Sequence, residues 1–113
     1  MATVKCTLNK GLTVGETVHK LAEIREVTAG DLIDATDESE KLVPTPEGYQ
    51  LIPSPTLVGL HTLRRQIVAI GDHPGPLTMA EMKLLSGTDL ELLQQTATTL
   101  DAATLQGVEN QGK

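Results

Sequence analysis

Residues 21–32 read LAEIREVTAGDL and contain the two patterns that decide the fold class. Apolar and polar residues alternate over 22–25, which is the period-two pattern of a half-buried strand. Thr28 and Asp31 follow at the spacing of a helix capping box, in which each side chain accepts a hydrogen bond from the other residue's backbone N–H. A strand that leads into a capped helix predicts a protein of the α+β class.

The residues before this stretch predict a strand that pairs with it. Val4, Cys6 and Leu8 alternate with polar residues, and the turn-forming residues 9–11 follow them. We therefore predict an antiparallel β-hairpin over residues 3–26. Because an isolated hairpin is marginally stable in water, we expect helices to cover its apolar face.

Three or four helices are predicted after the hairpin. Ser54-Pro55 provides an N-cap followed by the proline favoured at the first helical position, while Thr78 and Thr88 begin further capping boxes. The expected fold is α+β, mainly α, in a single small domain over 1–105, with a disordered tail over 106–113 where apolar periodicity stops. The predicted helices span about 29–40, 55–70, 79–85 and 89–105.

A proline-rich passage at 43–55 separates the first two helices. Its prolines exclude a regular helix, because they lack the backbone N–H and restrict the preceding residue. We predict an ordered or semi-ordered loop there, and leave open a minor hairpin and a hinge as alternatives.

Composition excludes several classes of protein. The chain has 113 residues, a formal net charge of −6 and one aromatic residue, Tyr49. The negative charge disfavours nucleic acid and anionic membranes as partners, and the N-terminus lacks an apolar signal segment, so we expect a cytosolic protein. A core without aromatic side chains buries less area, which favours stabilisation by a homo-oligomer or a partner.

No residue pattern indicates an enzyme. Gly11 and Gly15 lack the Lys-Ser/Thr ending of a phosphate-binding loop, and the lone Cys6 cannot form an internal disulfide. Asp72 and His73 have no third metal ligand at a useful spacing, so we interpret them as part of a turn. The sequence therefore predicts no catalytic residue, no cofactor and no metal.

Two predicted helices carry apolar stripes at heptad-like spacing. The stripes either pack against each other and the hairpin inside one monomer, or leave one surface for a second subunit or a client helix. The candidate residues for self-association or client binding are Leu60, Leu63, Ile67 and Ile70 in one stripe and Leu90, Leu93, Ala97 and Leu100 in the other.

An acidic belt at 31–47 precedes one basic spot on the second helix. His61, Arg64 and Arg65 form this spot, which we interpret as an anion-binding patch or, preferably, as a solvated helix face or the electrostatic partner of the acidic belt. The candidate electrostatic contacts are Arg64, Arg65, Asp34, Asp37, Glu38 and Glu40.

Two segments carry a resemblance to a known family. Residues 23–32 read EIREVTAGDL, an acidic run follows, and residues 77–90 read LTMAEMKLLSGTDL. In this order they resemble the Mu-like phage tail assembly chaperone family, over roughly residues 3–102. The positions that match its Arg-Glu, Gly-Asp-Leu and Leu…Asp-Leu elements are Arg25, Glu26, Gly30, Asp31, Leu32, Leu85, Asp89 and Leu90.

This resemblance implies a non-catalytic chaperone that acts in the host cytoplasm and leaves before the virion is finished. The implied partners are the tape-measure protein, the tail-tube protein and a longer form of the chain made by ribosomal frameshifting. Two alternatives stay open: a permanent structural tail or connector protein, and a small acidic regulatory module that binds a host protein through the belt at 31–47.

Overall fold

The computed structural model describes the backbone of residues 2–111 and the side chains of residues 2–105. Over this range the chain forms six strands and four helices. The strands are β1 (Thr3–Val14), β2 (Thr17–Arg25), β3 (Glu40–Thr45), β4 (Gly48–Pro53), β5 (Ile67–Ile70) and β6 (His73–Pro74). The helices are α1 (Ala29–Ser39), α2 (Pro55–Gln66), α3 (Met79–Met82) and α4 (Gly87–Gln111).

The strands form two antiparallel sheets. One has four strands in the order β1-β2-β5-β6, and the other is the β3–β4 hairpin. The predicted N-terminal hairpin is present, but the prediction of a mainly α fold is wrong, because six strands, four of them in one antiparallel sheet, accompany the four helices over the described residues.

Strand β5 is one reason for this correction, and the β3–β4 hairpin is another. The predicted helix over 55–70 ends at Gln66, and the next four residues pair with β2, with Ile70 opposite Ala22. Three of the four residues, Ile67, Val68 and Ile70, are β-branched and favour extended backbone, and the neighbouring strand satisfies backbone hydrogen bonds of this segment. The first apolar stripe is therefore divided between a helix and a strand.

Two of the three predicted capping boxes are confirmed. Thr28 with Asp31 and Thr78 with Glu81 each exchange both hydrogen bonds between side chain and backbone, at the starts of α1 and α3. These boxes need only residues three apart, so local sequence is sufficient to specify them. Helix α3 is shorter than the predicted 79–85.

Helix α4 differs from its prediction at both ends. The hydroxyl of Ser86 accepts a hydrogen bond from the N–H of Asp89 at 3.1 Å, so Ser86 caps the helix in place of Thr88. The backbone stays helical to Gln111, which includes part of the segment predicted to be a disordered tail. Gly112 and Lys113 lie outside the described residues.

The proline-rich passage forms the β3–β4 hairpin, one of the alternatives left open for it. Its strands pair in register from Glu40 opposite Pro53 to Thr45 opposite Gly48. The N–H of Ser54 donates to the carbonyl of Ser39 at 3.2 Å, so the end of α1 and the start of α2 meet at the base of the hairpin.

The core is aliphatic, as the composition predicts. Helix α4 packs on β1 and β2, while α1 packs along α2. Tyr49, in β4, lies outside the core. The buried cluster consists of Leu8, Leu12, Ala22, Ile24, Leu63, Ile67, Ile70, Leu77, Met82, Leu93 and Ala97.

A buried carboxylate joins α4 to β1. Asp89 is 0% exposed and accepts hydrogen bonds from the backbone N–H groups of Asn9 (2.7 Å), Lys10 (3.0 Å) and Gly11 (2.9 Å). These residues lie where the register of the β1–β2 hairpin shifts. Gly11 has φ +80°, and a Cβ there would lie 2.4 Å from the carbonyl oxygen of His19, so the bulge requires glycine.

Hydrogen bonding keeps this carboxylate ionised. Burial by itself would raise the pKa of Asp89, but the three backbone N–H groups and the Ser86 hydroxyl outweigh it and lower that pKa below its ordinary value. Asp89 is therefore a fixed anion inside the fold at neutral pH.

We predict that Asp89→Ala lowers the free energy of unfolding by at least about 3 kcal/mol, because it leaves buried N–H groups without an acceptor. Urea unfolding at pH 7, followed by circular dichroism, measures the change. Asp37→Ala, at an exposed position of α1, is the control and should stay within about 0.5 kcal/mol of the wild type. Equal stability of the two variants would contradict the role of Asp89.

Candidate interaction surfaces

Arg25 and Asp31 connect β2 to α1 through a bidentate ion pair. The guanidinium Nη1 lies 2.7 Å from Oδ2 of Asp31, and Nη2 lies 2.8 Å from Oδ1. The hydrogen bond from Arg25 is the largest of the effects that lower the pKa of Asp31 to about 2. Asp31 also accepts the N–H of Thr28, so one carboxylate caps the helix and fixes its angle to the sheet.

Asp101 connects α4 to the same region. Its Oδ1 accepts the backbone N–H of Val27 at 3.0 Å, and its two oxygens lie 3.4 and 3.3 Å from Nε2 of Gln66. Nearby, the hydroxyl of Thr104 donates to Glu26 at 2.9 Å. No local sequence pattern marks Asp101 as a connecting residue, because Val27 lies 74 residues earlier in the chain.

Most residues of the two apolar stripes lie inside the monomer. The partly exposed members, Leu60, Leu90 and Leu100, are the ones still able to reach a partner on the surface. The role of the stripes in self-association or client binding stays a prediction. The buried members are Leu63, Ile67, Ile70, Leu93 and Ala97.

The basic spot pairs with the acidic belt through one residue. Glu38 accepts a hydrogen bond from Nη2 of Arg64 at 2.7 Å and also forms an ion pair with Arg65. Burial, and then the nearby Arg64 charge, lowers the pKa of His61, which favours its neutral form. Of the interpretations of the basic spot, the structure shows the one in which its arginines pair electrostatically with the acidic belt.

The other candidate acids of the belt are exposed. Within the part of the chain that the structure describes, Asp34, Asp37 and Glu40 take part in no salt bridge. The structure therefore brings Glu38, Arg64 and Arg65 together and leaves the remaining three carboxylates at the surface.

The predicted turn at Asp72 and His73 brings His73 next to Glu81. His73 lies in β6, and its Nε2 is 2.5 Å from a carboxylate oxygen of Glu81. Among the described residues, no three His, Cys, Asp or Glu side chains lie close enough to hold a metal ion. Over the same residues, no helix is long and apolar enough to cross a membrane.

An open apolar groove runs between β1 and α4. Its volume is about 480 Å³, and its lining is mostly apolar. β1 is an edge strand of the four-stranded sheet, so the groove follows a sheet edge. It includes Leu100, a partly exposed member of the second stripe. The lining residues are Val4, Leu92, Gln95, Thr96, Thr99, Leu100 and Ala103.

A second apolar surface lies on the β3–β4 hairpin. Tyr49 is 72% exposed, and Leu42 and Leu51 are 62% and 63% exposed. No local pattern indicates that the single aromatic residue shares an apolar surface with these leucines, because strand pairing in the proline-rich passage decides which residues share a face.

The molecule exposes more surface than its mass requires. Its accessible area is 7105 Å², whereas a compact monomer of 12.0 kDa exposes about 6,000 Å². The radius of gyration is 16.1 Å, compared with about 13 Å for a compact domain of this length. An open shape with apolar surfaces is typical of a protein that functions by binding to others.

These surfaces belong to a small protein of mixed helices and strands, in which several charged side chains connect one element to another. The family model described as "Tail assembly protein gp41" matches residues 8–113. The chain therefore belongs to this family of Mu-like phage tail assembly proteins, as the resemblance of its motifs indicated.

Individual relatives agree with the family. The chain is 37% identical to the "Mu-like prophage FluMu protein gp41" of Haemophilus influenzae over 111 residues, which cover 97% of this chain and 87% of that protein. It is 46% identical over 80 residues to the "Probable tail assembly protein gp41" of Escherichia phage Mu, covering 71% of this chain and 56% of the relative. No solved structure matches the chain.

We predict that the Arg25–Asp31 pair makes stability depend on acid pH. The pKa of Asp31 is about 2 in the folded protein and about 3.9 in the unfolded chain, so the pair stabilises the fold above pH 4 and stops doing so as the pH falls towards 2. Asp31→Asn should therefore be less stable than the wild type by about 2 kcal/mol at pH 7, with most of that difference gone at pH 2.

Urea unfolding at pH 7 and pH 2 measures both differences. Asp34→Asn, at an exposed position of the same helix, should follow the wild type at both values. A gap between the wild type and Asp31→Asn that does not change with pH would refute the prediction.

Proposed function

We propose that this tail assembly protein is a non-catalytic chaperone that binds the tape-measure protein and helps to recruit tail-tube subunits. Its membership of the tail assembly family supports a role in the assembly of a phage tail. The observation that supports a helical client is the groove between β1 and α4, which is open, mostly apolar and bordered by a helix.

The chemistry of the groove suits reversible binding. Val4, Leu92 and Leu100 provide aliphatic contacts, while Thr96 and Thr99 add small side chains that allow a helix to approach closely. Many modest contacts of this kind along an elongated client add up to firm binding, yet each is released easily. The net charge of −6 helps to keep such an assembly soluble.

A longer form of the chain is part of the proposal. Besides the protein already described, phage Mu has a "Probable tail assembly protein FS-gp41", also 46% identical to this chain over 80 residues. That segment is 43% of the second protein and 56% of the first, so the second is longer. Two Mu proteins of different length that each match 80 residues of this chain support the proposal of a common start extended by frameshifting.

The proposed location is the host cytoplasm, and the proposed partners include further copies of the chain. The accessible area in excess of a compact monomer supports self-association. As a chaperone, the protein would leave the tail before the virion is complete.

We predict that a charge placed in the groove abolishes client binding. Ala103→Glu puts a carboxylate among apolar side chains, and burying it against a client costs several kcal/mol. Co-expression with the tape-measure protein should then leave at least about tenfold less client in the soluble fraction than the wild type does.

Ala102→Glu provides the matched control, because Ala102 is an exposed neighbour on the same helix that does not line the groove. It should keep the client as soluble as the wild type does. If both variants solubilise the client equally well, the groove is not the client site.

We also predict that quantitative mass spectrometry of purified virions finds the tape-measure and tail-tube proteins but not this chain. Lysates taken during assembly, analysed in parallel, should contain all three. Detection of the chain in virions at a fixed ratio to the tail-tube protein would instead identify it as a permanent structural component.

A further inference from the structure

The β3–β4 hairpin presents an apolar face that the core does not use. Leu42 lies directly opposite Leu51, and Pro44 lies directly opposite Tyr49, so these four residues share one face of the ribbon. The exposure of Leu42, Leu51 and Tyr49 shows that no other part of the described chain covers this face.

Little of the hairpin is held by the rest of the molecule. Its base is closed by the hydrogen bond between Ser39 and Ser54, and its main packing contact is between β4 and α1. Every residue of β4 is exposed. Two-stranded ribbons are marginally stable in water, and a contiguous exposed apolar face on a small protein commonly marks a binding site.

Three exposed acidic residues lie in the hairpin or next to it in the chain. Glu40 begins β3, Glu47 lies in the turn of the hairpin, and Asp37 lies in the last turn of α1 just before it; all three are exposed, and the hairpin contains a single base, Lys41. A second copy of the chain docked through the same face would bring its own three carboxylates close to these. Repulsion between like charges therefore favours a basic partner over self-association here.

The prolines favour a partner that packs on the face and not along an edge. Pro44 in β3 and Pro53 in β4 each lack the N–H that an added strand would need. A helix needs no backbone hydrogen bonds from its partner, and it can lay an apolar stripe across the leucines and the tyrosine.

We propose that the apolar face of the β3–β4 hairpin is a docking site for a basic amphipathic helix of a partner protein. Leucines and Tyr49 contact the apolar stripe of that helix, and Asp37, Glu40 and Glu47 pair with the lysines or arginines beside it. This docking site lies on β3 and β4, whereas the groove lies between β1 and α4. The proposal therefore does not depend on the function proposed for the groove.

The chain carries its own reporter for this site. Tyr49 is the single tyrosine and the chain has no tryptophan, so its intrinsic fluorescence comes from the proposed surface alone. The probe is a synthetic 18-residue amphipathic helix of leucine and lysine without aromatic residues. Binding should shield Tyr49 from the quencher acrylamide and lower the quenching constant at least about twofold, and added salt should weaken the binding.

Two control peptides separate recognition from simple charge attraction. One has the same composition with leucine and lysine scrambled so that no apolar stripe forms, and the other replaces each lysine by glutamate. Neither should protect Tyr49. Equal protection by the scrambled peptide would overturn the proposal, because it would show attraction without a docked helix.

Variants of the chain locate the site. Leu42→Ser with Leu51→Ser should weaken binding at least about tenfold, whereas Leu84→Ser, at a leucine that is 67% exposed outside the hairpin, should not. Glu40→Lys with Glu47→Lys leaves the apolar face intact and should weaken binding to a similar degree. Glu16→Lys with Glu91→Lys, at exposed positions outside the hairpin, is the matched control.

Peptide binding that is unchanged in both hairpin variants would overturn the proposal. Light scattering over a range of concentrations tests the other possible occupant. A dimer of the wild type that is lost in the Leu42→Ser, Leu51→Ser variant would assign the face to a second copy of the chain and overturn the proposal of a basic partner. Neither result would bear on the proposal that the groove binds the client, which the Ala103→Glu variant tests separately.

Discussion

The carboxylate of Asp89 is the contact on which the rest of the fold depends. Asp89 lies in the first turn of α4 and accepts hydrogen bonds from N–H groups at the bulge in β1. It therefore joins parts of the chain that are about 80 residues apart. Because α4 is held against β1, Leu93 and Ala97 are buried against the β1–β2 hairpin. The same placement opens the groove beside β1, so one buried anion sets both the core and the candidate client site.

Other carboxylates act in the same way at other junctions. Asp31 fixes α1 to β2 through its ion pair with Arg25. Asp101, in α4, accepts a hydrogen bond from Val27, in the segment that links β2 to α1. Asp31 and Asp89 are also among the positions that carry the family resemblance, and each has a structural explanation. These charged groups are used inside the fold, whereas the apolar groove and the β3–β4 hairpin are the two candidate surfaces for a partner.

Sequence reasoning succeeded where the physical cause is local. The hairpin of β1 and β2 and the capping boxes at Thr28 and Thr78 depend on alternation or on residues three apart. It failed at Ile67–Ile70, where the helical spacing of apolar residues continued but the open edge of β2 offered strand pairing. Asp101 left no signal, since its partners come from distant segments. Likewise, spacing alone could not separate buried from exposed members of the two stripes.

The sequence by itself determined the N-terminal hairpin, an aliphatic core, the acidic charge and the family, because composition, periodicity and motif order need no knowledge of distant contacts. Tertiary structure alone decided which leucines are buried, which carboxylates hold the fold together and which face of the proline-rich segment is exposed. The physical reason is that burial and strand pairing depend on elements far apart in the chain. A local pattern can offer an apolar face, but only the assembled fold decides whether that face is covered.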